Sequence, residues 1–266
     1  MTGKILSICA LLIGSRFPSL AQSPPSQAGG YKLVFGEDFR HFDLSPDGAG
    51  SHNWYEGVWF NKPPAPLDHI APTSDGLRLT WTRDQVPFDT SISTMGHNGE
   101  TRHAWQYGYF EVRVKWTPTT GAWPAIWLIP AKAGHQIETG EADIFEGNGD
   151  NPHTYYGTIH HWHESPDHSQ MLRVQSSDGR NHFLLMPWTD FTQYHTYGLL
   201  WEPGRFTWYL DDHPLHSEPA FPVFNQAKYC LIIGMQAGAD WKEGNIDKAR
   251  TPRMDMDVSW VHIWQR

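Results

Sequence analysis

Cysteine is nearly absent from this chain: two occur in 266 residues, and Cys9 lies in an N-terminal segment that does not belong to the fold. No disulfide framework can brace the molecule, so stability has to come from core packing. A basic cluster is missing too. Twenty Lys and Arg stand against 29 Asp and Glu, a net charge of −9, which argues against nucleic acid or an anionic membrane surface as partner. No apolar run is long enough to cross a bilayer, which takes roughly 20 residues. The run from Ile5 to Gly14, with Lys4 before it and Ser19-Leu20-Ala21 after it, reads as a signal peptide covering residues 1–21. The protein is therefore expected to be secreted or periplasmic, with a flexible lead-in over 22–30 rich in Pro, Ser and Gly.

Helical periodicity is the last absence. Nowhere does an apolar pattern at 3.6-residue spacing persist for three turns, whereas period-two alternation recurs throughout. In Tyr109–Trp116, Phe110, Val112, Val114 and Trp116 face one way and Tyr109, Glu111, Arg113 and Lys115 the other. Glu202-Pro203-Gly204-Arg205 is a turn between β-rich runs, Asp211–Pro214 turns the chain again, and Met256–Trp264 alternates once more. With no repeat or second linker, residues 31–266 read as one domain. The fold class is all-β, a sandwich of two antiparallel sheets. Cys230, within an apolar strand-like run, is expected to be a buried structural thiol.

Fourteen tryptophans exceed what packing usually requires, and aromatic faces suit sugar rings. The chemistry-bearing feature is Glu141-Ala142-Asp143-Ile144-Phe145-Glu146, three carboxylates in six residues of a chain only 18% charged. With Ile144 and Phe145 inside it and an apolar strand before it, the run reads as an inner strand, where unpaired charge is costly. On a regular strand Glu141 and Asp143 share a face and Glu146 points to the other. One extra residue in a β-bulge around Ile144 and Phe145 returns Glu146 to their face. Crowded carboxyls raise one another's pKa, so one keeps its proton and can act as an acid while an ionised partner attacks. Geometry alone leaves open which glutamate does which.

The run resembles the Glu-x-Asp-x-x-Glu signature of glycoside hydrolase family 16, in the bulged form of its laminarinase-like members. Tyr107-Gly108-Tyr109-Phe110-Glu111, Gly121–Leu128, Gly157-Thr158-Ile159-His160 and Tyr194–Tyr197 with Trp201 are similar to further segments of that family, in order. The resemblance implies a concanavalin A-like β-jelly roll. It implies Glu141 as nucleophile, Asp143 as assisting acid and Glu146 as acid/base. It also implies Trp123, Trp127 and His160 as cleft-lining residues, with His160 near the leaving group, and Trp105 and Tyr107 at the rim. The expected substrate is a β-linked polysaccharide, β-1,3-glucan or mixed-linkage glucan first, with galactan or agar hydrolysis, transglycosylation and a non-catalytic lectin as rivals. No cofactor or catalytic metal is expected, and the protein is taken as a monomer. Ala142, Tyr109, Gly234 and Ser259 depart from the family pattern; Ser259 replaces an Asp that often binds a structural calcium, so that ion is not predicted. These departures bear on the sugar rather than the reaction.

Overall fold

Where apolar side chains alternate, the chain forms strands, and seventeen are found among the described residues of the computed structural model, which are 24–57, 65–84, 89–97, 101–131, 138–164, 171–176, 182–184, 189–238 and 252–266. In chain order the first six are β1 (Lys32–Glu37), β2 (Leu44–Ser45), β3 (Trp54–Glu56), β4 (Ile70–Thr73), β5 (Gly76–Thr82) and β6 (Asp89–Ser93). The long central strands follow: β7 (Gly108–Trp116), β8 (Ala122–Pro130), β9 (Glu138–Gly147) and β10 (Thr154–Glu164). Then come β11 (Met171–Ser176), β12 (His182–Leu184), β13 (His195–Glu202), β14 (Arg205–Leu210), β15 (His213–Pro219), β16 (Tyr229–Ala237) and β17 (Arg253–Gln265). Helix among the described residues amounts to three short 3-10 turns. The signal segment 1–21 lies outside the described residues.

Two sheets make a jelly-roll sandwich. One, called here the backing sheet, runs β15-β14-β13-β7-β17-β5-β4 with β1 paired to β17. The other, which carries the acids, runs β11-β10-β9-β8-β16-β6-β3-β2 with β12 paired to β10. Pairing is antiparallel throughout these ladders except for the two-residue β2–β3 contact, which is parallel. Turn chemistry sets the hairpins. Glu202 pairs with Arg205 across Pro203-Gly204, and Leu210 pairs with His213 across Asp211-Asp212. Both aspartates have positive φ, 47° and 65°, the conformation a two-residue type I′ turn needs to match strand twist.

The core lies between the sheets. Phe110, Val112, Val114 and Trp116 of β7 join Leu199, Trp208 and Met256 of the backing sheet against Ile126, Leu128, Ile144, Phe145 and Ile159 of the acid-bearing sheet. Each large apolar side chain so buried contributes about 1.5–3 kcal/mol. The alternation of β7 holds, but its outer row is not all solvated: Tyr109 and Glu111 are buried as well. Glu111 is covered by Trp264 and His262, and Tyr109 by the lead-in, which is not loose as expected from Ser26 onward. Ser26–Ala28 forms a 3-10 turn, Ala28 is buried with Tyr109 and Trp264, and Gln27 donates to the Tyr109 hydroxyl and to Asp212 Oδ1, each at 2.8 Å. Gly198 makes room for this phenol, since a methyl there would collide with the Tyr109 hydroxyl. Cys230 is buried, its Sγ 3.3 Å from the Ile129 carbonyl oxygen, and burial pushes its thiol up to about 12.

Candidate active site

β9 carries the three acids, and the register of both its neighbours shows how they come to share a face. Against β8, Phe145 pairs with Ile126 and Asp143 with Trp127, so Ile144 is skipped. Against β10, Glu146 pairs with Tyr156 and Asp143 with Thr158, again with one residue too many on β9. Ala142, Ile144 and Phe145 all face the core. Two consecutive core-facing residues are the mark of a bulge, and it stands where the sequence places it. Glu141, Asp143 and Glu146 consequently sit together on the outer face.

The surroundings of the two outer acids differ. Glu146 is buried, and its Oε1 accepts the indole N–H of Trp123 at 3.0 Å. Burial, then the charges of Asp143 and Glu141, hold its carboxyl well above the usual range, with the Trp123 bond opposing. Glu141 keeps 22% side-chain exposure and lies 3.9 Å from His160 Nε2, which is itself 3.2 Å from Asp143 Oδ2. Burial and the Asp143 charge push Glu141 up to about 8, while His160 and the Trp162 indole act in the other direction. Glu146 has no cationic neighbour among these causes; Glu141 has one. The two glutamates thus differ in what favours their ionised form, a histidine at Glu141 and an indole N–H at Glu146.

The floor beside Glu146 is low. Across the ladder from it come Ala125 and then Gly234, which in turn pairs with Ser91. A β-carbon on Gly234 would meet the Ser91 β-carbon at 2.9 Å, which accounts for the small residue there. Trp127 with Ile232 lies on one side of this row and Trp123 with Gln236 on the other. A row of small residues therefore runs between two tryptophan-bearing positions, with the Glu146 carboxyl at one end.

The structure brings Trp123, Trp127 and His160 to the acids and leaves the two rim residues elsewhere. Trp123 is half-buried over Glu146, and Trp127, 8% exposed, packs with Ala125 and Ile232 outside the main core. His160 sits against Glu141 and Asp143, not at the leaving-group end beside Glu146, because it pairs with Glu141 across the β9–β10 ladder. Trp105 is a core side chain, 6% exposed and edge-on to Phe35 and Phe110. Tyr107, with φ of 62°, packs edge-on to Trp201 and donates to Asn225 Oδ1 at 3.0 Å. Trp162 is a residue that sequence reasoning missed. Its ring lies 5.2 Å from that of His160, on the acid face, and the period-two spacing Thr158, His160, Trp162 is the signal that could have found it.

Glu141, Asp143 and His160 offer three ligand atoms within 4.8 Å of one another, the only such group among the described residues. His160 stands at pairing distance from both carboxylates, and an ion-paired acid cluster explains the spacing without a metal. At Ser259 a single hydroxyl stands in place of a carboxylate, and no group of three such ligands surrounds it among the described residues.

A jelly roll that crowds three acids on one face, beside tryptophans, has the form of a polysaccharide-cleaving enzyme. The chain belongs to Glycosyl hydrolases family 16, whose profile matches residues 67–261. It is 33% identical to the beta-glucanase of Rhodothermus marinus over 99% of this chain and 96% of that protein. It is also 33% identical to a glucan endo-1,3-beta-glucosidase of Cryptopygus antarcticus, over 69% of this chain and 71% of the relative. The fold matches the laminarinase catalytic domain from Thermotoga maritima with a TM-score of 0.65 at 21% identity, covering 89% of this chain and 98% of that one. The protein is an endo-acting glycoside hydrolase.

Proposed function

We propose that this enzyme is a retaining endo-hydrolase of β-1,3-glucan or mixed β-1,3/1,4-glucan, with Glu141 as nucleophile and Glu146 as acid/base. The observation that carries the roles is the asymmetry between the two glutamates: a cationic partner at Glu141, burial and like charges at Glu146. With Oε1 of Glu146 accepting from Trp123, the proton resides on Oε2. In the first step it passes to the departing glycosidic oxygen while a Glu141 oxygen bonds to the anomeric carbon. In the second, Glu146, now ionised, takes a proton from water, whose oxygen displaces Glu141 and restores the β configuration. Asp143, between them, keeps Glu146 protonated by its charge and tethers His160. Trp123 and Trp162 supply apolar faces on which sugar rings stack, one at each end of the acid row.

The linkage rests on the activities of the relatives, a beta-glucanase and a glucan endo-1,3-beta-glucosidase, and on the bulged form of the acid run. Galactan or agar cleavage, and transglycosylation by a sugar hydroxyl in place of water, use the same machinery. Export through the signal segment 1–21 belongs to the same proposal. The test is release of reducing ends from a panel of laminarin, mixed-linkage glucan, agarose and galactan, with the first-formed anomer followed by proton NMR. Laminarin should be cut with β product first, and Glu141→Gln should lose at least about 10³-fold in kcat while still binding. An α product, or full activity in Glu141→Gln, overturns the assignment.

A further inference from the structure

The bulge that aligns the acids has its own price in backbone hydrogen bonding. Ile144 has no partner in either neighbouring ladder, so polar backbone groups around it fall out of the regular β9 pattern while facing a dry core. The carbonyl that directly precedes Ile144 is bonded from the opposite sheet. Trp208, fully buried on β14, donates its indole N–H to the main-chain carbonyl oxygen of Asp143 at 2.8 Å. Sequence separation is 65 residues, and the contact crosses the sandwich. Trp208 is held in turn by its ladder partners Leu199 and His216, with Phe206 and His216 against its ring.

We propose that Trp208 is a positioning residue for the reaction: its N–H pins the bulge at Asp143 and thereby holds Glu146 on the face of Glu141. A one-residue slip turns every side chain beyond it to the other face. Here a migrating bulge would carry Glu146 toward the core. The Asp143 carbonyl can accept Trp208 only where the bulge now stands, so the bond selects one position among neighbours. The proposal rests on the reading of Glu141 and Glu146 as the catalytic pair.

Trp208→Phe removes the donor and keeps an apolar ring. It should lower kcat on laminarin by about tenfold or more, since a misplacement of about 1 Å can cost up to a hundredfold, with KM within about twofold. The carboxyl carbons of Glu141 and Glu146, followed by ¹³C NMR against pH, should titrate differently from wild type. Trp201→Phe is the control, because Trp201 is an equally buried tryptophan of the same sheet whose indole N–H has no hydrogen-bond partner. It should lower the melting temperature and leave both titrations and the pH–rate profile as they were. Wild-type kcat and titrations in Trp208→Phe, or the same changes in Trp201→Phe, would overturn the proposal. If Trp208→Phe does not fold, site-specific benzothienylalanine, which exchanges the indole N–H for sulfur in the same ring shape, takes its place. Should the wild type cut no polysaccharide, the functional reading fails by itself, and the carboxyl titrations alone decide the role of Trp208.

Discussion

At the scale of single residues, the site separates two chemically identical side chains by what touches them. Trp123 is the point of leverage, because its hydrogen bond favours the ionised form of Glu146 and so opposes the retention of the proton. In Trp123→Phe the donor is gone, the Glu146 carboxyl rises further, and the alkaline limb of the pH–rate profile moves to higher pH. Loss of one such bond should also cost about threefold to tenfold in kcat/KM at the optimum. A profile unmoved in pH would mean that the limb belongs to another group. His160 shows the limit of reading a residue by resemblance: it lines the site as expected, but only the β9–β10 register places it beside Glu141 rather than Glu146.

At the scale of elements, the bulge makes a prediction of its own. Both neighbouring strands already pair as though Ile144 were absent. Deleting Ile144 should therefore straighten β9 without re-pairing it and keep all three acids on one face. The cost is a core side chain, about 2–4 kcal/mol of stability, with measurable laminarin cleavage remaining. Inserting one alanine between Ile144 and Phe145 has the opposite effect, driving either Glu146 or its partners into the core and abolishing activity. Thermal melts and reducing-sugar release on the two variants check this. Much of the architecture was legible because it is local: the alternation of β7, the Pro203-Gly204 and Asp211-Asp212 turns, and a bulge demanded by three acids that need one face. Trp105 and Tyr107 were misread because an aromatic near a strand end looks the same in sequence whether it turns to the cleft or, as here, onto Phe35 or Trp201. Trp208 gave no signal at all, since its partner lies in the other sheet.

At the scale of the whole molecule, acidic side chains enclosed by the sandwich tie stability to pH. Glu56 is buried, accepts the Ala65 N–H at 2.9 Å, and is pushed up to about 7 by burial and then by the charge of Asp89. A carboxyl raised in the folded state adds stability that is complete below its unfolded pKa and is lost as pH rises toward the folded value. Glu56 and Glu141 both act in this sense, so denaturant stability should fall between about pH 4.5 and 8. Glu56→Gln keeps the acceptor for Ala65 and should remove up to about 3 kcal/mol of that slope; equal slopes in the two proteins would assign the effect elsewhere. The same enclosure has a meaning for Cys230, the one cysteine among the described residues. Outside the cytoplasm a free cysteine is exposed to oxidants and to thiol–disulfide traffic, which act on thiolates that can be reached. Cys230, sealed against Ile129 with its proton held tightly, takes no part in that exchange while the sandwich is closed, so its reactivity records how often the sandwich opens.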